Sequence, residues 1–300
     1  MKVRALAAGL VFCLGLCAAA AGGAEEGEKF RIEVRPPRPG PGQMAQVRAL
    51  AGELQPAEVL EARLCGRSFP LWKTAEGSWE GLVSLDRDEK SGARELSVVA
   101  LGKEGERLLG SSPIEVGERE YGIQQLSVDE GMVTLSPENE ARAERENKLI
   151  RTVLAERTAD RFWSFPFLVP AQGHVSGPFG VRRVYNGKPK SYHGGTDIAA
   201  PKGAPVTATA AGRVALVGDF YYTGLTALVD HGCGLYSAYF HMSALKVAQG
   251  DRVEAGQLLG LVGSTGRSTG PHLHWGMYLS GLRVDPESVT ALNPVGGPAE

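Results

Sequence analysis

Gly270-Pro271-His272-Leu273-His274-Trp275 is the stretch on which the reading of this 300-residue chain turns. In an extended strand successive side chains alternate between faces, so His272 and His274 point to the same side. Two imidazoles on one strand face are a ready chelate for a borderline cation such as Zn2+. Upstream, His193-Gly194-Gly195-Thr196-Asp197 offers a second nitrogen-and-oxygen pair. Its paired glycines argue for a loop running into a strand rather than a helix face.

Around these motifs the C-terminal part is dominated by glycine and short apolar runs. Arg213 to Val217, Thr226 to Asp230, Leu235 to Phe240, Gln257 to Val262 and His272 to Leu279 read as strands, and no segment there reads as a helix. Gly250 to Gln257 has the pattern of a biotinyl/lipoyl-type hairpin sandwich. Gly263-Ser264-Thr265-Gly266 stands where a carrier domain needs a modifiable lysine, so the β architecture is expected without the carrier function.

The N-terminal part alternates as short strands: Phe30 to Val34, Gln46 to Leu50, Val59 to Leu64, Ser68 to Trp72, Trp79 to Leu85, Glu95 to Leu101 and Ile114 to Val116. That spacing, with glycine-marked turns, predicts an immunoglobulin-like sandwich. All six histidines lie at position 174 or later, so this part is expected to bind, space or dock rather than catalyse. Asp86 to Lys90 reads as a solvated turn.

Between the two parts, Ser136-Pro137-Glu138 is a helix start, with Ser as N-cap and Pro at the first helical position. A helix follows to Arg157, with Leu149, Ile150, Val153 and Leu154 as its apolar stripe. Phe162 to Phe167 is an aromatic cluster expected to pack where the two parts meet.

The first residues read as a signal peptide: Lys2 and Arg4, an apolar run from Leu6 to Cys17, then small residues through Ala24. The run is short for a membrane span. The signal carries away Cys13 and Cys17, and Cys65 and Cys233 remain, expected as two buried thiols rather than a disulfide. A net charge of −2 gives no electrostatic footprint for nucleic acid.

A catalytic zinc site uses three protein ligands and leaves a position for water, whereas a structural site is closed by four. The candidates are His193, Asp197, His241, His272 and His274, and spacing does not choose among them. Paired-cysteine finger spacings and the helical H-E-x-x-H motif are missing. His174 and His231 read as structural, Tyr239 as core or site lining, and Arg182 as a brace for the Asn186-Gly187-Lys188 loop or an anchor for a substrate carboxylate.

Residues 170 to 286 resemble the lysostaphin/LytM-type zinc endopeptidases (metallopeptidase family 23), which cut peptide bridges or cross-links of bacterial peptidoglycan. The resemblance rests on Phe179-Gly180-Val181-Arg182, His193-Gly194-Gly195-Thr196-Asp197, Tyr239-Phe240-His241, Gly263-Ser264-Thr265-Gly266 and Gly270-Pro271-His272-Leu273-His274. It implies that His193, Asp197 and His274 ligate zinc, while His241 and His272 stay unligated beside it as catalytic groups. Zinc would bring the pKa of a bound water to about 7. His272 would take or relay the water proton and His241 would donate to the developing oxyanion, or the two roles would be exchanged.

The fold class expected on this basis is mostly β, an N-terminal sandwich, an interdomain helix and a C-terminal antiparallel LytM-type sheet. The expected division is 1–24 signal peptide, 25–120 accessory sandwich, 121–169 linker with a helix at about 137–157, 170–290 zinc peptidase domain and 291–300 flexible tail. The expected place is the periplasm or cell envelope, with peptidoglycan stems or cross-links as partner. The competing function is a catalytically silent relative that activates a cell-wall amidase; a zinc peptidase for another protein substrate is a third. Tyr185-Asn186-Gly187 is a candidate to lie across the groove.

Overall fold

The structure is a computed structural model that describes residues 30–50, 59–128 and 130–292. The expected signal peptide and residues 293–300 of the expected tail lie outside the described residues. No helix among the described residues is long and apolar enough to cross a membrane.

The N-terminal strands are β1 (Arg31–Arg35), β2 (Met44–Leu50), β3 (Val59–Leu64), β4 (Arg67–Lys73), β5 (Trp79–Ser84), β6 (Gly92–Gly102) and β7 (Gly105–Val116). They pair antiparallel in the order β1-β2-β5-β4-β3-β6-β7. The inward alternation expected of a sandwich is present, and one curled sheet carries it. Phe30, just before β1, lies so close over Gly110 of β7 that a Cβ there would meet the ring at 2.3 Å. Alternation reports which residues face inward and is silent on whether the walls are one sheet or two. The first half of β7 escapes a periodicity reading because none of Gly105 to Gly110 is buried, so no apolar face alternates there. Cys65 sits at φ 50° in the turn joining β3 and β4. Its thiol is free and exposed, contrary to the expected burial, whereas Cys233 is free and buried.

After β7 come β8 (Ile123–Leu126) and helix α1 (Pro137–Ala155). Ser136 Oγ accepts the Asn139 N–H at 3.3 Å, an N-cap worth about 1 kcal/mol. Ile150 and Leu154 are buried with Leu216, Phe220, Phe240 and Tyr278 on the C-terminal sheet, while Leu149 of the expected stripe faces outward. Trp163 packs edge-on against Trp72 of β4 at 5.2 Å and against Phe165, and tilted against Phe167. These rings join the N-terminal sheet to the C-terminal half of the chain.

The C-terminal strands are β9 (His174–Gly177), β10 (Arg182–Tyr185), β11 (Lys188–Tyr192), β12 (Thr196–Ala199), β13 (Pro205–Thr207), β14 (Gly212–Phe220), β15 (Gly224–Gly232), β16 (Leu235–Met242), β17 (Ala244–Leu245), β18 (Arg252–Val253), β19 (Leu258–Leu261), β20 (His272–Leu279) and β21 (Leu282–Val284). A five-residue helix, α2 (Pro286–Thr290), ends the described chain and is the one departure from the expected absence of helix there. The main sheet runs β18-β14-β15-β16-β20-β12-β9, with β21 beside β20. Along β20, Leu273, Trp275, Met277 and Leu279 enter the main core, leaving His272, His274 and Tyr278 on the opposite face. That face is shared between α1 and the histidines.

His231, on β15, is structural. Its Nδ1–H donates to Ala211 O at 2.8 Å, so Nε2 accepts from Ser237 Oγ, also at 2.8 Å. Ser237 and Thr209 in turn hold the fully buried Tyr239 hydroxyl, which places Tyr239 in the core. Burial lowers the His231 pKa to about 4. An unfolded histidine titrates near 6.5, so the neutral ring's stabilisation is complete above that pH and is lost as pH falls through about 4, roughly 3 kcal/mol in all. Unfolding in denaturant at pH 7 and pH 4 is expected to show a shallower loss of stability in His231→Gln than in the parent. Equal pH slopes would refute the assignment.

Candidate metal centre

Register brings the motifs together. In the β12–β20 ladder Asp197 lies directly opposite His274 and Ala199 opposite His272. In the β16–β20 ladder Phe240 lies opposite His274, and the two rings stack at 5.1 Å with 1° between their planes. His193 enters from the loop between β11 and β12. Its Nδ1–H donates to Pro178 O at 2.9 Å, which leaves Nε2 as an acceptor facing the cluster. Gly195 permits the close approach: a Cβ there would lie 2.4 Å from Trp275 O and 2.7 Å from His274 Nε2.

His193 Nε2, Asp197 Oδ1 and His274 Nδ1 form a nearly equilateral triangle, with sides of 2.9, 2.8 and 3.0 Å. All three residues are buried. A tetrahedral cation with bonds near 2.0–2.1 Å spreads its ligands to about 3.3 Å, a few tenths of an ångström beyond what is seen. Two imidazole nitrogens and a carboxylate oxygen converging in a buried spot suit a borderline divalent cation, so the residues fit a metal.

Electrostatics favour the ligand forms. Burial alone would raise the Asp197 pKa, but hydrogen bonds and charge from His193 and His274 outweigh it and hold the carboxyl well below the usual range. Burial pushes His274 down to about 4 against the pull of Asp197.

His241 and His272 flank the triad, their rings 4.8 Å apart. His272 Nε2 is 3.7 Å from Asp197 Oδ1, close but outside the triangle. His241 reaches this face through a distortion. Strict alternation would send it to the opposite side from Phe240 and would put Met242 with Phe240. The β15–β16 register slips between Leu225↔Met242 and Ala227↔Tyr239, and His241 adopts φ 62°. Parity flips at this bulge, so Met242 enters the main core and His241 turns toward the triad. Burial, then the neighbouring His272 and His274, lower the His241 pKa to about 3.

Both flanking rings are fixed by backbone carbonyls: His241 Nδ1 lies 2.8 Å from Thr265 O, and His272 Nδ1 lies 2.8 Å from Gly270 O. A carbonyl only accepts, so each neutral ring carries its proton on Nδ1 and offers Nε2 as a proton acceptor. The oxyanion donor expected of His241 is therefore not available from the neutral ring; it becomes a donor only after taking up a proton.

A model for Peptidase family M23 matches residues 191–286. A crystal structure of a putative peptidase M23 from Pseudomonas aeruginosa shares 30% identity and superposes with a TM-score of 0.65, covering 84% of this chain and 95% of that one. This chain belongs to peptidase family M23. That coverage takes in the N-terminal sheet as well as the M23 domain. Among curated M23 relatives, the DD-carboxypeptidase/endopeptidase Mpg of Neisseria meningitidis is 42% identical over 120 residues, 40% of this chain and 28% of that protein. The peptidoglycan DD-endopeptidase ShyA of Vibrio cholerae is 36% identical over 118 residues, 39% of this chain and 27% of that protein. The chain thus spans under a third of the length of these relatives.

Sequence reading missed the residue that fixes Asp197. Arg182, the arginine that stands out in the sequence, is exposed, whereas its neighbour Arg183 pairs with Asp197 Oδ2. Arg183 also donates to Gln124 Oε1 on β8 at 3.2 Å, and β8 lies parallel to β10. The segment between the sheets therefore helps orient Asp197, one corner of the triangle. Carboxylates that hold a metal are usually fixed this way, and losing such a partner typically costs about 10–100-fold in metal affinity. Arg183→Gln is expected to weaken zinc binding by that factor in a chelator competition; unchanged affinity would show the pair to be incidental. Of the Tyr185-Asn186-Gly187 segment, Tyr185 lines the cleft, whereas the Asn186 side chain turns away and bonds Val128 and Glu130. His174 is exposed at the start of β9, away from the triad.

Proposed function

We propose that the chain is an exported zinc endopeptidase that hydrolyses peptide cross-links of bacterial peptidoglycan, acting in the periplasm or cell envelope. The observation carrying this reading is the convergence of three candidate ligand atoms with two further histidines at their rim. The activities named for the relatives, peptidoglycan DD-endopeptidase among them, supply the substrate class. His193, Asp197 and His274 would hold the zinc. Residues 170–290 are read as the peptidase domain, 121–169 as the linker with its helix, and 25–120 as an accessory module.

When bound, zinc supplies Lewis acidity toward the scissile carbonyl and brings the pKa of a water to about 7. The protein's residues handle the protons. One of the two Nε2 atoms, His272 or His241, accepts a proton from the attacking water. The amide C–N bond breaks as that nitrogen returns the proton to the leaving amine. Thr265 O and Gly270 O keep both rings in the tautomer this needs. Phe240, stacked on His274, keeps solvent from one side of the ligand.

The silent-activator alternative finds no support, because all three donor atoms and both flanking histidines are in place. Purified protein from residue 25 onward, loaded with zinc, is expected to convert cross-linked muropeptides of intact sacculi into monomers, seen by mass spectrometry. Loaded protein that leaves every cross-link intact while stimulating an amidase would overturn the reading.

A further inference from the structure

The metal cleft, about 170 Å³, opens into a second hollow of about 790 Å³ whose far wall is α1, through Ile150, Arg151 and Leu154. Tyr192, Tyr222, Arg267, Tyr278 and Arg283 line both, so the two form one groove. The charged side chains lining it are Arg151, Arg183, Arg267 and Arg283; among the described residues, no Asp or Glu lines either hollow. In a chain with net charge −2 this concentration of one sign stands out.

Arg267 is partly buried, whereas Arg283 on β21 is exposed beside the groove. Arg87, Arg94, Arg119 and Arg183 each pair with a carboxylate. Arg267 and Arg283 have no such ion pair among the described residues. Arg267 lies over the rings of Tyr185 and Tyr222, at 4.7 and 4.3 Å. The stem of Arg283, on β21, covers Gly194 next to His193; a Cβ on Gly194 would meet its Cδ at 2.7 Å. Its guanidinium lies 6.0 Å from the centre of the Tyr192 ring. For the partly buried Arg267, ring faces offset part of the cost of removing a cation from water. A guanidinium has five donors, more than ring faces satisfy, so N–H groups of both side chains remain to meet a ligand in the groove. A planar fork beside a groove is suited to a carboxylate.

We propose that Arg267 and Arg283 bind a free carboxylate of the substrate peptide on the α1 side of the metal centre, and so select cross-links that carry a carboxylate beside the scissile amide. The inference rests on the peptidase reading for the identity of the peptide, and on groove geometry for the rest. Arg151, on the facing wall, would add long-range attraction.

The test uses a peptidoglycan stem tetrapeptide, which has no cross-link to cut, in two forms: carboxylates free, or converted to amides. Binding to the zinc-loaded protein is measured by calorimetry. The free acid is expected to bind about tenfold or more tighter than the amide, as charge-assisted hydrogen bonds allow. Arg267→Gln and Arg283→Gln should each weaken the acid about tenfold, leave the amide unchanged, and retain bound zinc. Arg283→Lys should recover part of the discrimination. Wild-type protein that does not distinguish the two peptides, or variants that lose both equally, would overturn the proposal. Because this readout is independent of hydrolysis, intact sacculi together with retained discrimination would sink the peptidase reading alone.

Discussion

His274→Ala is expected to lose the metal and hydrolysis together. His274 supplies one corner of the triangle, lies opposite Asp197 in the β12–β20 register and stacks on Phe240. Without it, His193 Nε2 and Asp197 Oδ1 remain 3.0 Å apart, a pair that can still grip a cation but no longer encloses it. Dialysed variant should carry no zinc, and activity should fall by more than the about 10²–10⁴-fold that a proton-transfer group supplies. A stacked ring is lost as well, so unfolding should be followed to show that the variant remains folded. If the folded variant kept one zinc, the ligand set would be wrong.

The contrasting expectation concerns the two flanking histidines. His272→Ala and His241→Ala should each retain zinc and lower kcat by about 10²–10⁴-fold. Their rings are 4.8 Å apart and both offer Nε2 as an acceptor, so each can cover in part for the other. The double variant should then lose less than the product of the two single losses. Zinc lost from His241→Ala would move that residue into the ligand set; kcat unchanged in both variants would remove them from the chemistry.

The contrast mirrors what the sequence could and could not disclose. His272 and His274 were legible because strand alternation is local: the same rule puts Leu273 and Trp275 into the core. The helix start at Ser136-Pro137 was legible for the same reason. His241 stood among the candidates, but its face was not legible, since strict alternation sends it away from the site and a bulge reverses that. The Arg183–Asp197 pair was not legible, because its partners lie fourteen residues apart on strands of different sheets. The role of α1 as a groove wall, and the curling of seven strands into a single sheet, depend on tertiary packing, which periodicity does not encode. The expected burial of Cys65 failed where a left-handed turn presents the thiol outward.

The most direct measurement is turnover of a cross-linked peptidoglycan peptide by metal-free protein titrated with zinc. The expected result is no cleavage at the start and activity that rises and saturates at one zinc per chain. Cleavage by the metal-free protein, or stoichiometric zinc binding with no cleavage, would contradict the account.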